Sequence, residues 1–345
     1  MNEKLIRDVF SKMAECKPAL QKYLIADELD QEVDLRILGD LIIRNFPWPI
    51  GVELRRLFSG AMRNLDRGRL DQLFKTIERT MQFLSFVLVA QLWEERLKKN
   101  IELPGDFTSQ FQSRFTTLTL GNYSWLIRAI SKMFSQTNTD HFIIEKNTSF
   151  NNKFFELLDF WVPERNEIGH HQINLTTDEI ERRCVEYQEK LSLILQNIVF
   201  FVNYKLVTVR QINVLRKKHR DPSFNHLMDL LNSSDSDFKG TEIQHQIYAD
   251  SNAVLLLKDF NAPHEYLNLS PLIIDTRTEV IDQKEKFSIK KDIFLYTRFQ
   301  HGKLLYVGTE VTEKCDLSQL SSYPDLLAQF NEMMQYILNP TGMAV

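Results

Sequence analysis

The residues best suited to chemistry are gathered in one short segment, Trp161-Val162-Pro163-Glu164-Arg165-Asn166-Glu167-Ile168-Gly169-His170-His171. A histidine changes charge near neutral pH and can move a proton, while an arginine keeps its charge and can hold developing negative charge. Arg165 and His170 are separated by four residues, His171 offers the same group one position later, and Asn166 adds a neutral donor and acceptor. The competing reading is structural: Arg165 and His170 cap helix ends or bridge to Glu164 and Glu167. A second pair at similar spacing, Arg220 and His226, lacks the helical context that surrounds Arg165. Five cations without an acid, Arg210, Arg216, Lys217, Lys218 and Arg220, form the other candidate. They suit phosphate contact as RNA-binding residues, or else they line a solvated linker helix. No His-x3-His, glycine-rich phosphate loop or Gly-x-Ser-x-Gly occurs, so neither a cofactor nor a metal is expected.

Arg165, four residues and His170, with Asn166 next to the arginine and a long helix following, resemble the Arg-x(4–6)-His motif of the HEPN superfamily. The resemblance covers roughly residues 62 to 206. It implies an antiparallel helical bundle and a metal-independent endoribonuclease, in which the 2′-hydroxyl of RNA attacks the adjacent phosphorus. It also implies a homodimer that brings Arg165, Asn166 and His170 (or His171) of both chains to one cleft, and a setting in bacterial defence or stress, as a toxin or antiviral nuclease. A non-catalytic adaptor or sensor that dimerises and binds RNA, a ligand or a partner protein is the alternative. In the toxin branch paired with a nucleotidyltransferase antitoxin, a tyrosine lies two residues after the histidine; here that position is Gln172.

The rest of the chain must position this segment. At 345 residues and 40.7 kDa it exceeds one ordinary core, and 43% hydrophobic with 26% charged residues is a globular balance. The formal charge of −4 excludes a globally basic surface, so contact with nucleic acid needs a local patch. Cys16, Cys184 and Cys315 stand far apart without a Cys-x-x-Cys, which fits a reducing cytoplasm, and no long apolar stretch suggests a membrane partner.

The pattern predicts an α+β chain. Residues 1–61 read as a helical segment, with an acidic stretch at 27–34 and an interruption at Phe46 to Gly51. Residues 62–206 read as the bundle, with apolar steps at Leu70, Leu73, Phe74, Ile77, Met81, Leu84, Leu88 and Leu92, then helices at 123–134 and 154–161. Thr176 and Glu179 suggest a capping box opening the last long helix. Residues 207–240 read as a basic linker or helix. Residues 241–345 read as a small antiparallel sheet, with strands near 243–248, 253–257, 266–269, 272–275, 293–299 and 303–307. A hairpin turn is expected at Gln300-His301-Gly302 and a closing helix at about 324–337, the whole serving as a possible sensor for a small molecule or protein.

Overall fold

The computed structural model describes residues 2–28, 34–98, 101–137, 142–170, 175–232, 240–245, 249–277, 291–311, 314–318, 323 and 325–339. The chain is α+β, with helices mostly before residue 200, antiparallel strand pairs after it and a helix at the end. It forms two compact units, one of residues 1–84, 143–205 and 231–237, the other of residues 85–142, 206–230 and 238–345. These differ from the boundaries the pattern suggests, because helices expected in one bundle divide between the two.

The first unit holds α1 (Glu3–Cys16), α2 (Gln21–Glu28), α3 (Leu35–Asn45), α4 (Trp48–Phe58), the N-terminal part of α5 (Arg67–Leu97), α8 (Lys146–Ser149), α9 (Asn152–His170) and α10 (Thr177–Asn197). Asp34, at the end of the acidic stretch, caps α3 by accepting the Arg36 amide at 2.9 Å; residues 29–33 lie outside the described residues. The interruption after α3 is shorter than expected. Pro47 precedes α4 and Pro49 sits in its first turn, where proline needs no helical partner for its nitrogen, so the helix restarts at Trp48. α5 opens on Asp66, whose carboxylate accepts the Arg69 amide at 3.0 Å. Its predicted apolar positions are buried, and so are Phe83, Phe86, Val87, Val89 and Ala90, so its middle is enclosed on every side rather than along one stripe.

The second unit holds the remainder of α5, α6 (Gly105–Phe115), α7 (Leu120–Ser135), two sheets and α11 (Leu326–Leu338). The strands are β1 (Lys205–Lys217), β2 (Arg220–Leu230), β3 (Gly240–His245), β4 (Val254–Leu257), β5 (Tyr266–Asn268), β6 (Ile273–Asp275), β7 (Ile293–Gln300), β8 (Lys303–Gly308) and β9 (Lys314–Asp316). They form sheets in the orders β3-β2-β1-β4-β5 and β6-β7-β8-β9, where the sequence suggests one. The segment 207–240, expected as a linker or helix, contains instead the longest hairpin described, β1 and β2. The β7–β8 turn is as expected: Gln300 pairs with Lys303, and His301 and Gly302 have φ of 51° and 73°, the left-handed pair of a two-residue hairpin.

α6 joins this unit because Phe107, Phe111 and Phe115 recur every fourth residue on one buried face. Phe115 stacks on Tyr296 at 5.4 Å between centroids, and Phe330 of α11 lies 5.1 Å from Tyr296 and 5.4 Å from Phe299. The closing helix, expected at about 324–337, therefore covers a sheet face. No helix among the described residues is long and apolar enough to cross a membrane.

Candidate functional site

α9 begins where the Asn151 side chain accepts the Phe154 amide at 3.1 Å, and it buries Phe154, Leu158 and Trp161 at three- and four-residue steps. Trp161 packs on Phe74 of α5 (5.5 Å between centroids) and on Tyr187 of α10 (5.1 Å), which anchors the helix just before the motif. The sequence suggests that Trp161-Val162-Pro163 ends the helix. It does not: α9 runs through Pro163 to His170. Pro163 is on the exposed side, where the hydrogen bond it forgoes to the carbonyl four residues back costs least.

Arg165 and Asn166 therefore sit within a helix and not in a connection, both exposed. The Arg165 side chain makes no ion pair or hydrogen bond with another described residue. The backbone of His170 is the last residue of α9, one helical turn beyond Asn166 (i, i+4) and about 7.5 Å along the axis from Arg165. His171 lies outside the described residues.

Glu164 and Glu167, the acids expected to bridge to Arg165 or His170, are committed elsewhere. Arg183 of α10, almost fully buried, donates to Glu167 at 2.6 Å, to Glu164 at 3.2 Å, to Glu179 at 2.9 and 3.2 Å and to the Tyr187 hydroxyl at 3.2 Å. The Tyr187 hydroxyl in turn donates to Glu164. Burial opposes the charge of Arg183, but the bonds to Glu167, Tyr187 and Glu179 outweigh it and raise its pKa. Burial, with the bond to Glu164 second, pushes the Tyr187 phenol up, so it stays a neutral donor. The capping box is half realised: Thr176 Oγ1 accepts the Glu179 amide at 3.3 Å, while the Glu179 carboxylate serves Arg183.

Arg183 is not among the residues expected from the motif, although its place is marked in the sequence. It lies three residues after Ile180 and four before Tyr187, on the buried stripe of α10, where an unpaired cation is not tolerated. The carboxylates at Glu164 and Glu167, three apart on the facing helix, are the complement it needs.

The cations expected as RNA-binding residues lie in the other unit, on the β1–β2 hairpin. Arg210 is not available: it is paired with buried Asp229 of β2 at 2.7 Å. Arg216, Lys217, Lys218 and Arg220 are exposed at the hairpin end. Among the described residues no group of three or more His, Cys, Asp and Glu side chains is placed to hold a metal ion. No family model matches this chain, and no curated protein or solved structure matches it either.

Proposed function

We propose that the chain is a metal-independent endoribonuclease of the HEPN type, acting as a homodimer, with Arg165 and His170 as its reacting groups. The observation that carries this reading is the charge state of the motif: Arg183 takes up Glu164 and Glu167, and Arg165 stays exposed and unneutralised beside them. Had either acid closed on Arg165, the motif would offer a phosphate no unpaired arginine.

In the proposed reaction the 2′-hydroxyl loses its proton to a histidine and its oxygen attacks the adjacent phosphorus. Arg165 holds the extra negative charge of the pentavalent state, the bond to the 5′-oxygen breaks, and a proton is returned to that oxygen. The products are a 2′,3′-cyclic phosphate and a 5′-hydroxyl. Two proton transfers on opposite sides of the phosphorus need two groups, and a two-fold pair of protomers supplies a histidine from each. Asn166, one turn from His170, orients the histidine or bonds the phosphate, and His171 is the alternative proton carrier.

The test is RNA cleavage by the purified protein in EDTA, with the product ends identified. The expected result is cyclic-phosphate ends, intact DNA, and loss of activity in Arg165→Ala and in the double variant His170→Ala, His171→Ala. Cleavage that needs Mg²⁺, or that survives the double variant, overturns the mechanism. Absence of cleavage with a stable dimer leaves the non-catalytic adaptor.

A further inference from the structure

The outer half of the β1–β2 hairpin has an architecture the rest of the fold does not require. Among the described residues β3 pairs with β2 from Phe224 to Asp229, and β1 is bonded on its other side at Val209, through Asn252 and Ala253. Beyond those points the hairpin is a two-stranded ribbon, and residues 213–222 are exposed in both strands and in the turn. At about 3.3 Å per residue, the stretch from Ile212 to Lys217 extends roughly 17 Å. A two-stranded ribbon of that length whose described residues are exposed on both faces has little buried surface to account for its own stability.

Its tip is electrostatically unfavourable alone. Arg216, Lys217, Lys218 and Arg220 lie within five residues, Lys217 and Arg220 stand directly opposite each other across the two strands, and none of the four makes an ion pair with a described residue. Like charges at opposed positions destabilise a hairpin. The chain as a whole is acidic, with a formal charge of −4, so this concentration of positive charge is local and directed.

We infer that the ribbon is a sequence-independent arm for double-stranded nucleic acid, entering a wide groove and held by the phosphodiester backbones on either side. Three observations select this partner. Cations on both strands and in the turn meet anions from two sides, as groove walls present them. No Phe, Tyr or Trp lies between Gln211 and Ser223, so the stacking platform that grips single strands is missing. The exposed apolar residues Val214 and Leu215 are adjacent in one strand and so point to opposite faces, which gives no apolar side to enter a lipid surface. The major groove of B-form DNA, about 12 Å wide, admits a two-stranded ribbon, whereas that of A-form RNA is too narrow. The inference does not depend on Arg165 or His170, which lie in the other unit.

The experiment is fluorescence anisotropy with the full chain carrying His170→Ala and His171→Ala, so that cleavage cannot interfere. The probes are a 20-base-pair DNA duplex, the RNA duplex of the same sequence, a single-stranded 20-nucleotide RNA, and phosphatidylserine-containing vesicles. With four phosphates engaged, the slope of log affinity against log salt is about −3.6, which weakens DNA-duplex binding roughly 150-fold between 50 and 200 mM salt. The variant Lys217→Gln, Lys218→Gln changes only exposed side chains, and its slope falls to about −1.8, a roughly 12-fold loss over the same range. Single strands bound as tightly as the DNA duplex, a preference for the RNA duplex, binding to vesicles alone, no binding at all, or a slope unchanged in the variant would each overturn the inference.

Discussion

Replacing Arg183 by Gln removes a cation shared by Glu164, Glu167 and Glu179 and the hydrogen bond it donates to the Tyr187 hydroxyl. Breaking a fully buried pair from one side costs about 3–5 kcal/mol, because the surviving charge is stranded. The carboxylates here are unequally buried. The Glu167 side chain is 50% exposed and that of Glu179 33%, so water takes up most of their charge, and the penalty falls chiefly on Glu164 at 24%. The expected loss is therefore at or below the lower edge of the buried range, about 2–3 kcal/mol, or a roughly 30- to 150-fold shift of the unfolding equilibrium. Urea unfolding of wild type and variant measures it. Adding Glu164→Gln should recover at least about 1 kcal/mol relative to additivity, since the double variant no longer buries an unpaired acid beneath Tyr187. A loss under about 0.5 kcal/mol, or strict additivity of the two substitutions, would refute the view that this guanidinium holds α9 to α10 through its acids.

Two further outcomes follow from groups outside the motif. Lys146 is 2% exposed and burial lowers its pKa to about 8, so between pH 8 and its unfolded value of 10.5 the unfolded chain binds more protons and stability rises with pH; Lys146→Met should therefore stabilise the fold at pH 7 by up to about 3 kcal/mol, and a gain in denaturation midpoint that does not shrink by pH 10.5 would contradict the assignment. Gly308→Ala places a methyl 2.2 Å from the Asp292 carboxylate, which is already fixed by the Thr309 hydroxyl and the amides of Ile293, Glu310 and Val311, so a loss of roughly 2–4 kcal/mol is expected in thermal or urea unfolding, and a neutral result would mean that the carboxylate can move.

What the sequence revealed and what it hid divide along one physical line. Buried periodic faces were readable: the apolar steps of α5 and α10, and the strands from β4 to β8, each carry a covered face that the pattern records. The β1–β2 hairpin escaped because residues 213–222 are exposed in both strands, so no alternation marks it and the run of cations resembles a solvated helix. Pro163 misled in the opposite sense. Its residue type argues for a helix end, but Trp161 is anchored by Phe74 and Tyr187 on one side of it, and the acids on the other side are tied to Arg183, so tertiary contacts carry the helix through. The candidate residues Arg165 and Asn166 were legible from type and spacing alone; the buried cation that keeps their acidic neighbours occupied was marked only indirectly, by its place on the stripe of α10, where a charge is easily taken as solvent-facing.

Because α9 continues to His170, the interval between Arg165 and His170 is a phase as well as a length. Each residue of an α-helix turns the next by about 100° and advances it 1.5 Å. Inserting one alanine between Asn166 and Glu167 moves the His170 backbone only 1.5 Å farther along the axis but rotates it by more than a quarter turn about it. The same insertion rotates Glu167 away from Arg183. Inserting four alanines shifts the helix by about 6 Å yet returns both residues to within about 40° of their present azimuth. In a loop the shorter insertion would be the gentler one; on this helix it is the four-residue insertion that comes nearer to restoring the azimuths of Glu167 and His170.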